Sequence, residues 1–277
     1  MRVKNRISFR AESNNELTSY LSTHGIAWHK GEIVSTVEIF EDSPHWQFIH
    51  QYSSEYNIPI LSATVFSKSE LDNAEWLRVR SQWRCGYPQP EAAFGYRSVT
   101  YKAGCRCDTC GAGSDQIAPF RMAKSPNWGK RHFMMLNWVE DELFVSDICR
   151  KVLEKENLSC ISFGTVGDKK GLATLPNVNQ LIITSKLAPG IIEGRRSIDE
   201  VFTCACCGAT KYHPTCIGMM AFNKHIFDNA PDFVKTAEIF GWGQGAARHI
   251  IISSKAYRVL IRNNLTQGLV FEPIELV

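Results

Sequence analysis

The sequence predicts an α+β protein: a small N-terminal α/β sandwich followed by two duplicated units, each a cysteine knuckle leading into strand, helix and strand. Three observations carry this expectation. Strand-type and helix-type apolar periods alternate through residues 1–84. Two Cys-x-x-Cys-Gly turns, Cys107-Asp108-Thr109-Cys110-Gly111 and Cys204-Ala205-Cys206-Cys207-Gly208, stand far apart in the chain. Residues 143–158 line up with residues 250–265 without a gap.

The first third is read in order. Residues 2–10 place Val3, Ile7 and Phe9 in a loosely alternating strand pattern, and Ser13, Asn14 and Asn15 are capping candidates for a helix over 16–23. Residues 32–41 alternate through Val34, Val37 and Ile39. Ser43-Pro44 opens a helix carrying Trp46, Phe48, Ile49 and Tyr52, which Asn57-Ile58-Pro59 ends. Residues 59–67 read as a strand, and Ser69-Glu70-Leu71 starts a helix running through Leu77. Strand, helix, strand, helix, strand in this order suggests a ferredoxin-like sandwich with helices on one sheet face. Its tryptophans, Trp28, Trp46, Trp76 and Trp83, are expected to pack in or around the core.

Residues 85–104 change character. Gly86, Pro88, Pro90 and Gly95 among tyrosines mark a linker arm between the N-terminal domain, 1–84, and the first knuckle unit, 105–185. Arg80, Trp83, Arg84, Tyr87 and Tyr96 could stack on bases, although aromatic residues in an arm more commonly pin it to a neighbouring domain.

The second knuckle unit, 186–277, repeats the first. Ser146, Val152-Leu153 and Asn157-Leu158 in one stretch match Ser253, Val259-Leu260 and Asn264-Leu265 in the other, and both stretches run on into a strand. Each serine, or the residue beside it, is placed to cap a helix. Trp128 to His132 and Trp242 to His249 form a weaker echo upstream.

A Cys-x-x-Cys-Gly turn points two sulfurs at one centre, and its glycine takes the backbone conformation that lets amides approach sulfur. Two such turns complete a tetrahedral Zn2+ site, held by Cys107, Cys110, Cys204 and Cys207. The pairs lie too far apart for a small zinc ribbon, so the metal is expected to be a structural clasp between two large segments. Two separate sites, or knuckles without metal, are the competing arrangements. Cys105, Cys206, His213 and Cys216 stand close enough in sequence to replace or add ligands. A catalytic zinc is disfavoured, because such sites keep an open position and neither knuckle is accompanied by a His-x-Glu or His-Glu-x-x-His pattern.

Composition narrows the class. With 44% hydrophobic and 21% charged residues, the chain supports real cores, and no stretch reaches bilayer-spanning length. The start has no apolar signal region, which points to the cytoplasm, where ten cysteines are reduced thiols or metal ligands rather than disulfides. A net charge of +3 is small, yet residues 81–136 hold eight Lys/Arg against three acids. That basic middle is a solvated surface or, on the sharper reading, a polyanion-binding face.

Nucleotide-binding glycine loops and serine-hydrolase elbows are absent. Glu140, Asp141 and Glu142 with His132 are expected to be a solvated edge rather than an acid–base pair. The run Phe240-Gly241-Trp242-Gly243-Gln244-Gly245 is expected to make a tight turn before a strand. Cys149 and Cys160 read as packing thiols.

The two Cys-x-x-Cys-Gly knuckles, together with the C-terminal helix leading to Gly268-Leu269-Val270-Phe271-Glu272-Pro273-Ile274, resemble the double-CXXCG-motif proteins. Several members are described as immunity proteins of bacterial toxin-exchange and polymorphic-toxin systems. The similarity covers about the last 170 residues and does not extend to residues 1–85. It implies a non-catalytic protein that neutralises a cognate protein toxin by direct binding, with zinc serving the fold. Trp242, Arg248 and the tyrosine-rich arm are then the candidates for partner contact. The competing class is a zinc-ribbon nucleic-acid binder that follows a phosphate backbone with Lys102, Arg106, Arg121, Lys124, Lys130 and Arg131.

Overall fold

The structure, a computed structural model, describes residues 1–277 and divides into two compact units, Met1–Lys68 with Thr215–Gly218, and Ser69–Pro214 with Met219–Val277. It is mixed α/β, with six α-helices and several sheets that are mostly antiparallel. No helix is long and apolar enough to cross a membrane.

In the first unit the chain runs β1 (Arg2–Phe9), α1 (Asn15–Thr23), β2 (Trp28–His29), β3 (Ser35–Phe40), α2 (Trp46–Glu55) and β4 (Ile60–Val65). Alternation along β1 turns Val3, Ile7 and Phe9 inward and Arg2 and Arg6 outward. Leu17 and Leu21, one helical turn apart on α1, meet Ile49 of α2 over that face. The sheet order is β2-β3-β1-β4, every neighbour antiparallel, which is the split-βαβ order of ferredoxin-like domains. Residues 32–41 therefore hold one strand of a pair. Its partner β2 is only two residues long, too short to show a period. Asn14 occupies the cap position of α1, but its side chain donates to the Arg10 carbonyl and accepts from the Tyr52 hydroxyl instead of capping. Asn57 closes α2 in the left-handed conformation, φ 51°.

The second unit begins with α3 (Lys68–Asn73), β5 (Trp76–Ser81), α4 (Tyr96–Thr100), β6 (Phe133–Met134) and β7 (Leu143–Val145). It continues through α5 (Asp147–Lys155), β8 (Ile161–Gly167), β9 (Thr174–Ile183), β10 (Ile198–Thr203) and β11 (Thr210–Pro214). After these come β12 (Ala221–Phe222), β13 (Phe233–Lys235), β14 (Ile239–Phe240), β15 (Ile250–Ser253), α6 (Ser254–Arg262), β16 (Leu269–Pro273) and β17 (Glu275–Leu276). Two four-stranded antiparallel sheets dominate, ordered β6-β7-β9-β8 and β13-β15-β5-β16.

Here the structure departs from the expected boundaries. The helix expected to reach Leu77 stops at Asn73, and residues 76–81 form a strand with Leu77 and Val79 buried. That strand pairs with β15 and β16, so residues 69–84 belong to the second unit rather than to a domain 1–84. Residues 105–185 and 186–277 share one core, in which Val145, Leu153 and Leu181 pack in one cluster with Ile250, Ile252 and Leu260. The arm 85–104 is built into the same unit. Tyr96 is buried with Phe120 and Trp128, and Trp83 packs against that cluster, which removes both from any base-stacking face.

The aligned stretches adopt one local form. Ser146 follows β7 and Ser253 ends β15, and each hydroxyl accepts an amide three residues on, from Cys149 at 3.2 Å and Ala256 at 3.1 Å. The backbone amides of the two serines donate to the carbonyls of His132 and Asp232 at 3.1 and 3.0 Å. Asn157 and Asn264, left-handed at φ 50° and 57°, follow the two helices. The upstream echo does not correspond: His132 precedes β6, whereas His249 leads directly into β15.

Candidate metal centre

Both knuckles fold by the same backbone hydrogen bonds. In the first, the Gly111 amide donates to the Cys107 carbonyl at 2.8 Å and the Cys107 amide to the Ala112 carbonyl at 2.8 Å. In the second, Gly208 donates to Cys204 at 2.8 Å and Cys204 to Ala209 at 2.9 Å. Gly111 and Gly208 sit at φ 78° and 72°, which a side chain resists, so the glycine is what permits the turn.

These turns bring the sulfurs of Cys107, Cys110, Cys204 and Cys207 within 4.8 Å of one another. Cys107 Sγ lies 3.9 Å from Cys204 Sγ, and Cys110 Sγ 3.5 Å from Cys207 Sγ. A tetrahedral zinc with Zn–S bonds of about 2.3 Å sets its sulfurs about 3.8 Å apart, so the donor set fits that ion. Cys110 and Cys204 are buried, with Ala112, Ala209 and Ile239 packed around them, while Cys207 faces solvent.

The electrostatics match a cation site. Amide hydrogen bonds, first from Cys110 and then from Thr109, pull the Cys107 thiol down to about 6, and the Cys207 and Cys206 amides lower Cys204 in the same way. Burial raises the Cys110 thiol. Cys207 is pushed up to about 12: the Ala209 amide works to lower it, but the Cys110 sulfur, burial and the remaining sulfurs outweigh that bond. Two thiols thus ionise readily and two resist, Cys110 chiefly through burial and Cys207 chiefly through the neighbouring Cys110 sulfur. A divalent cation at the centre removes that resistance.

Side chains outside the motif hold the two turns in place. Lys211 on β11 is buried, and its ammonium donates to the carbonyls of Cys110 at 2.9 Å and Gly243 at 2.7 Å, which places a positive charge beside the sulfur cluster. Arg106 donates to the Gln244 carbonyl at 2.6 Å, and the Gln244 side chain donates to the Asp108 carbonyl at 2.8 Å. The glycine-rich run 241–245 is therefore a turn, and what it approaches is the first knuckle. Sequence reasoning missed Lys211 and Gln244. A lysine in an alternating strand carries no signal of burial, and a glutamine among glycines none of a bond to a distant turn, until the partner is placed.

The other candidate ligands lie apart from the cluster. Cys105 Sγ is 2.9 Å from the Lys102 carbonyl and accepts the Asp115 amide at 3.4 Å. His213 Nδ1 lies 3.1 Å from the Glu200 carboxylate, and its ring stacks on Trp242 at 3.8 Å. Cys206 is exposed on its knuckle, and Cys216 is exposed in the segment Thr215–Gly218 of the first unit.

The residues weighed as an acid–base pair are separated. Glu140 binds Arg84 at 2.6 Å, His132 Nδ1 lies 2.9 Å from the Ser146 hydroxyl, and Glu142 pairs with Lys235 at 2.5 Å. Cys149 is buried as a packing thiol, whereas Cys160 is exposed. Of the basic stretch, Arg121 donates to the Lys170 carbonyl at 3.3 Å and Arg131 lies over the Trp83 ring at 5.2 Å. Arg248 turns inward to the carbonyls of Thr236 and Ala237, while Trp242 is 55% exposed.

No family model matches this chain, and no curated protein matches it.

Proposed function

We propose that this is a non-catalytic, zinc-stabilised binding protein of the cytoplasm, and, following the resemblance of its knuckles, an immunity protein that neutralises a cognate protein toxin by direct contact. The observation that carries the reading is the closed four-thiol cluster: two remote turns give all their sulfurs to one centre, an arrangement that suits a structural ion and leaves no protein-free position for substrate. Zinc bound there supplies a further cross-link between two segments that already share a core and hydrogen bonds. Lys211, Arg106 and Gln244 then keep the two turns aligned.

A duplicated architecture goes with this reading. One copy runs from β5 through the first knuckle to β8, the other from β9 through the second knuckle to β16, and the copies have exchanged their leading strands. Its support is register. Leu181 of β9 stands opposite both Leu143 and Phe163, as Val79 of β5 stands opposite both Ile250 and Phe271. Exchanged strands and a shared ion give a rigid scaffold, and rigidity lowers the ordering cost of binding a macromolecule.

The test is binding measured against salt. Purified protein is titrated with the product of the neighbouring reading frame and, separately, with mixed-sequence DNA and RNA from 50 to 500 mM salt, roughly a range over which phosphate-driven binding collapses. The proposal expects tight, salt-tolerant binding to one protein. Nucleic-acid affinity that falls steeply with salt, with no protein bound, overturns it in favour of the zinc-ribbon class.

A further inference from the structure

Two cavities adjoin beside the first knuckle, of about 350 and 290 Å3, and share Glu140 and Gly245 in their walls. Five arginines line them, Arg97 and Arg106 in the larger, Arg78, Arg80 and Arg84 in the smaller; Arg78 and Arg80 pair with Glu272 and Arg84 with Glu140, so that with Asp141 three carboxylates stand against five guanidinium groups. Neither contains a lysine. The floor of the smaller one is apolar, with Val79, Met135, Phe240 and Ile250. Phe94, Trp138 and Trp242 stand on the walls, 41%, 42% and 55% exposed.

The backbone singles out the same place. Apart from asparagines, the residues other than glycine held at positive φ are Ala93, Phe94, Trp138 and Cys160, of which Phe94 and Trp138 line the larger cavity and Ala93 precedes Phe94. The Phe94 and Trp138 rings lie 4.5 Å apart, with the Arg97 guanidinium 4.3 Å from the Phe94 centroid. Strained backbone that presents half-exposed aromatic rings is found where a surface is kept for contact.

We infer that this double cavity is the docking face for an acidic segment of a protein partner that carries aromatic or large apolar side chains between its carboxylates. The inference rests on the binding-protein reading above and names the face that reading would use. Charge sets the sign of the occupant: after the pairs with Glu272 and Glu140 the face keeps an arginine excess that attracts carboxylates, and a guanidinium fork such as that of Arg97 meets a carboxylate through two parallel hydrogen bonds. Shape sets its class. Two compact cavities divided by an acidic wall receive successive side chains, whereas a nucleic-acid strand needs a continuous basic groove free of carboxylates along its phosphates. Exposed tryptophan and arginine are also the residues that dominate protein interfaces. The face is tied to the metal centre, since Gly111 lines the larger cavity and Arg106 and Gln244 bridge it to the glycine-rich turn.

The probe is a fluorescein-labelled peptide alternating Asp or Glu with Trp or Phe, titrated into the full-length zinc-loaded protein. A charge-reversed lysine version and a single-stranded oligonucleotide of equal charge are run beside it. The acidic peptide is expected to bind, and Trp138→Ala, Trp242→Ala, Arg80→Gln and Arg97→Gln each to weaken it about five- to tenfold, the loss typical of an interface anchor. Arg150→Gln, on α5 away from both cavities, leaves binding unchanged. Zinc content and melting temperature of every variant separate lost contact from lost fold. Undetectable acidic-peptide binding, equal binding of the lysine peptide, tighter binding of the oligonucleotide, or insensitivity to all four variants overturns the inference. Protection against a toxin is scored with the same variants. Protection that all four keep shows the face to be wrong while the function stands, whereas absence of any protein partner for the wild type removes the function itself.

Discussion

At the scale of single residues, the two knuckle glycines make different demands although their φ values agree. A methyl on Gly111 would overlap the Gln244 carbonyl oxygen and crowd the Arg106 guanidinium, whereas Gly208 has nothing within 4 Å. Gly208→Ala should therefore cost only backbone strain, about 1 kcal/mol, and Gly111→Ala about 2–3 kcal/mol, because the glycine-rich turn must also move. Urea unfolding of the zinc-loaded protein measures both; equal losses would show that the Gln244 contact is not what the first knuckle depends on. His249 supplies a pH dependence. It is 8% exposed, stacked on Phe240 at 3.7 Å, and burial, reinforced by Arg78 and Arg80, holds its pKa well below the usual value. The folded state keeps it neutral while the unfolded chain binds a proton below about pH 6.5, so stability present above that pH is lost as pH falls. His249→Phe should flatten the stability profile between about pH 7 and 5. An unchanged slope would mean that another group titrates there.

At the scale of elements, the sequence was most legible where local chemistry decides the structure. Ser146 and Ser253 are marked by the strand before them and the apolar helix period after them, and both cap as expected. Ser146→Ala and Ser253→Ala should each cost about 1 kcal/mol in chemical denaturation, and Asp at either position should restore most of it. A loss confined to one serine would break the equivalence of the two helices. Legibility failed at residues 74–81. Ser69-Glu70-Leu71 read as the start of a helix through Leu77, yet Leu77 and Val79 form a strand because β15 and β16, near the other end of the chain, offer edges on both sides. A pattern this short fits either period, and the tertiary partner chooses between them. The same limit hid β2 and the pairing of the segment 215–218, where the Thr64 amide donates to the Cys216 carbonyl at 2.8 Å within the first unit.

For the molecule as a whole, the α+β class could be read from the alternating apolar periods and the convergence of four thiols from two five-residue motifs, because a metal site needs only ligand type and turn geometry to declare itself. The division of the chain could not. β9 lies between β7 and β8 of its own expected unit, 105–185, but β5, which precedes the first knuckle, lies between β15 and β16 of the unit 186–277. Pairing of β5 with such distant strands leaves no mark on periodicity, since a strand looks the same whichever sheet receives it. The four thiols come from both knuckles, so what must be tested is that one ion is shared. The direct measurement is zinc per chain in reduced protein, repeated for Cys107→Ser and Cys204→Ser separately, with cobalt substitution to report the ligand set. The account predicts one zinc per chain, an all-thiolate cobalt spectrum, and complete loss of metal in either variant. Half the metal surviving in each variant, or a spectrum with nitrogen ligation, would contradict it.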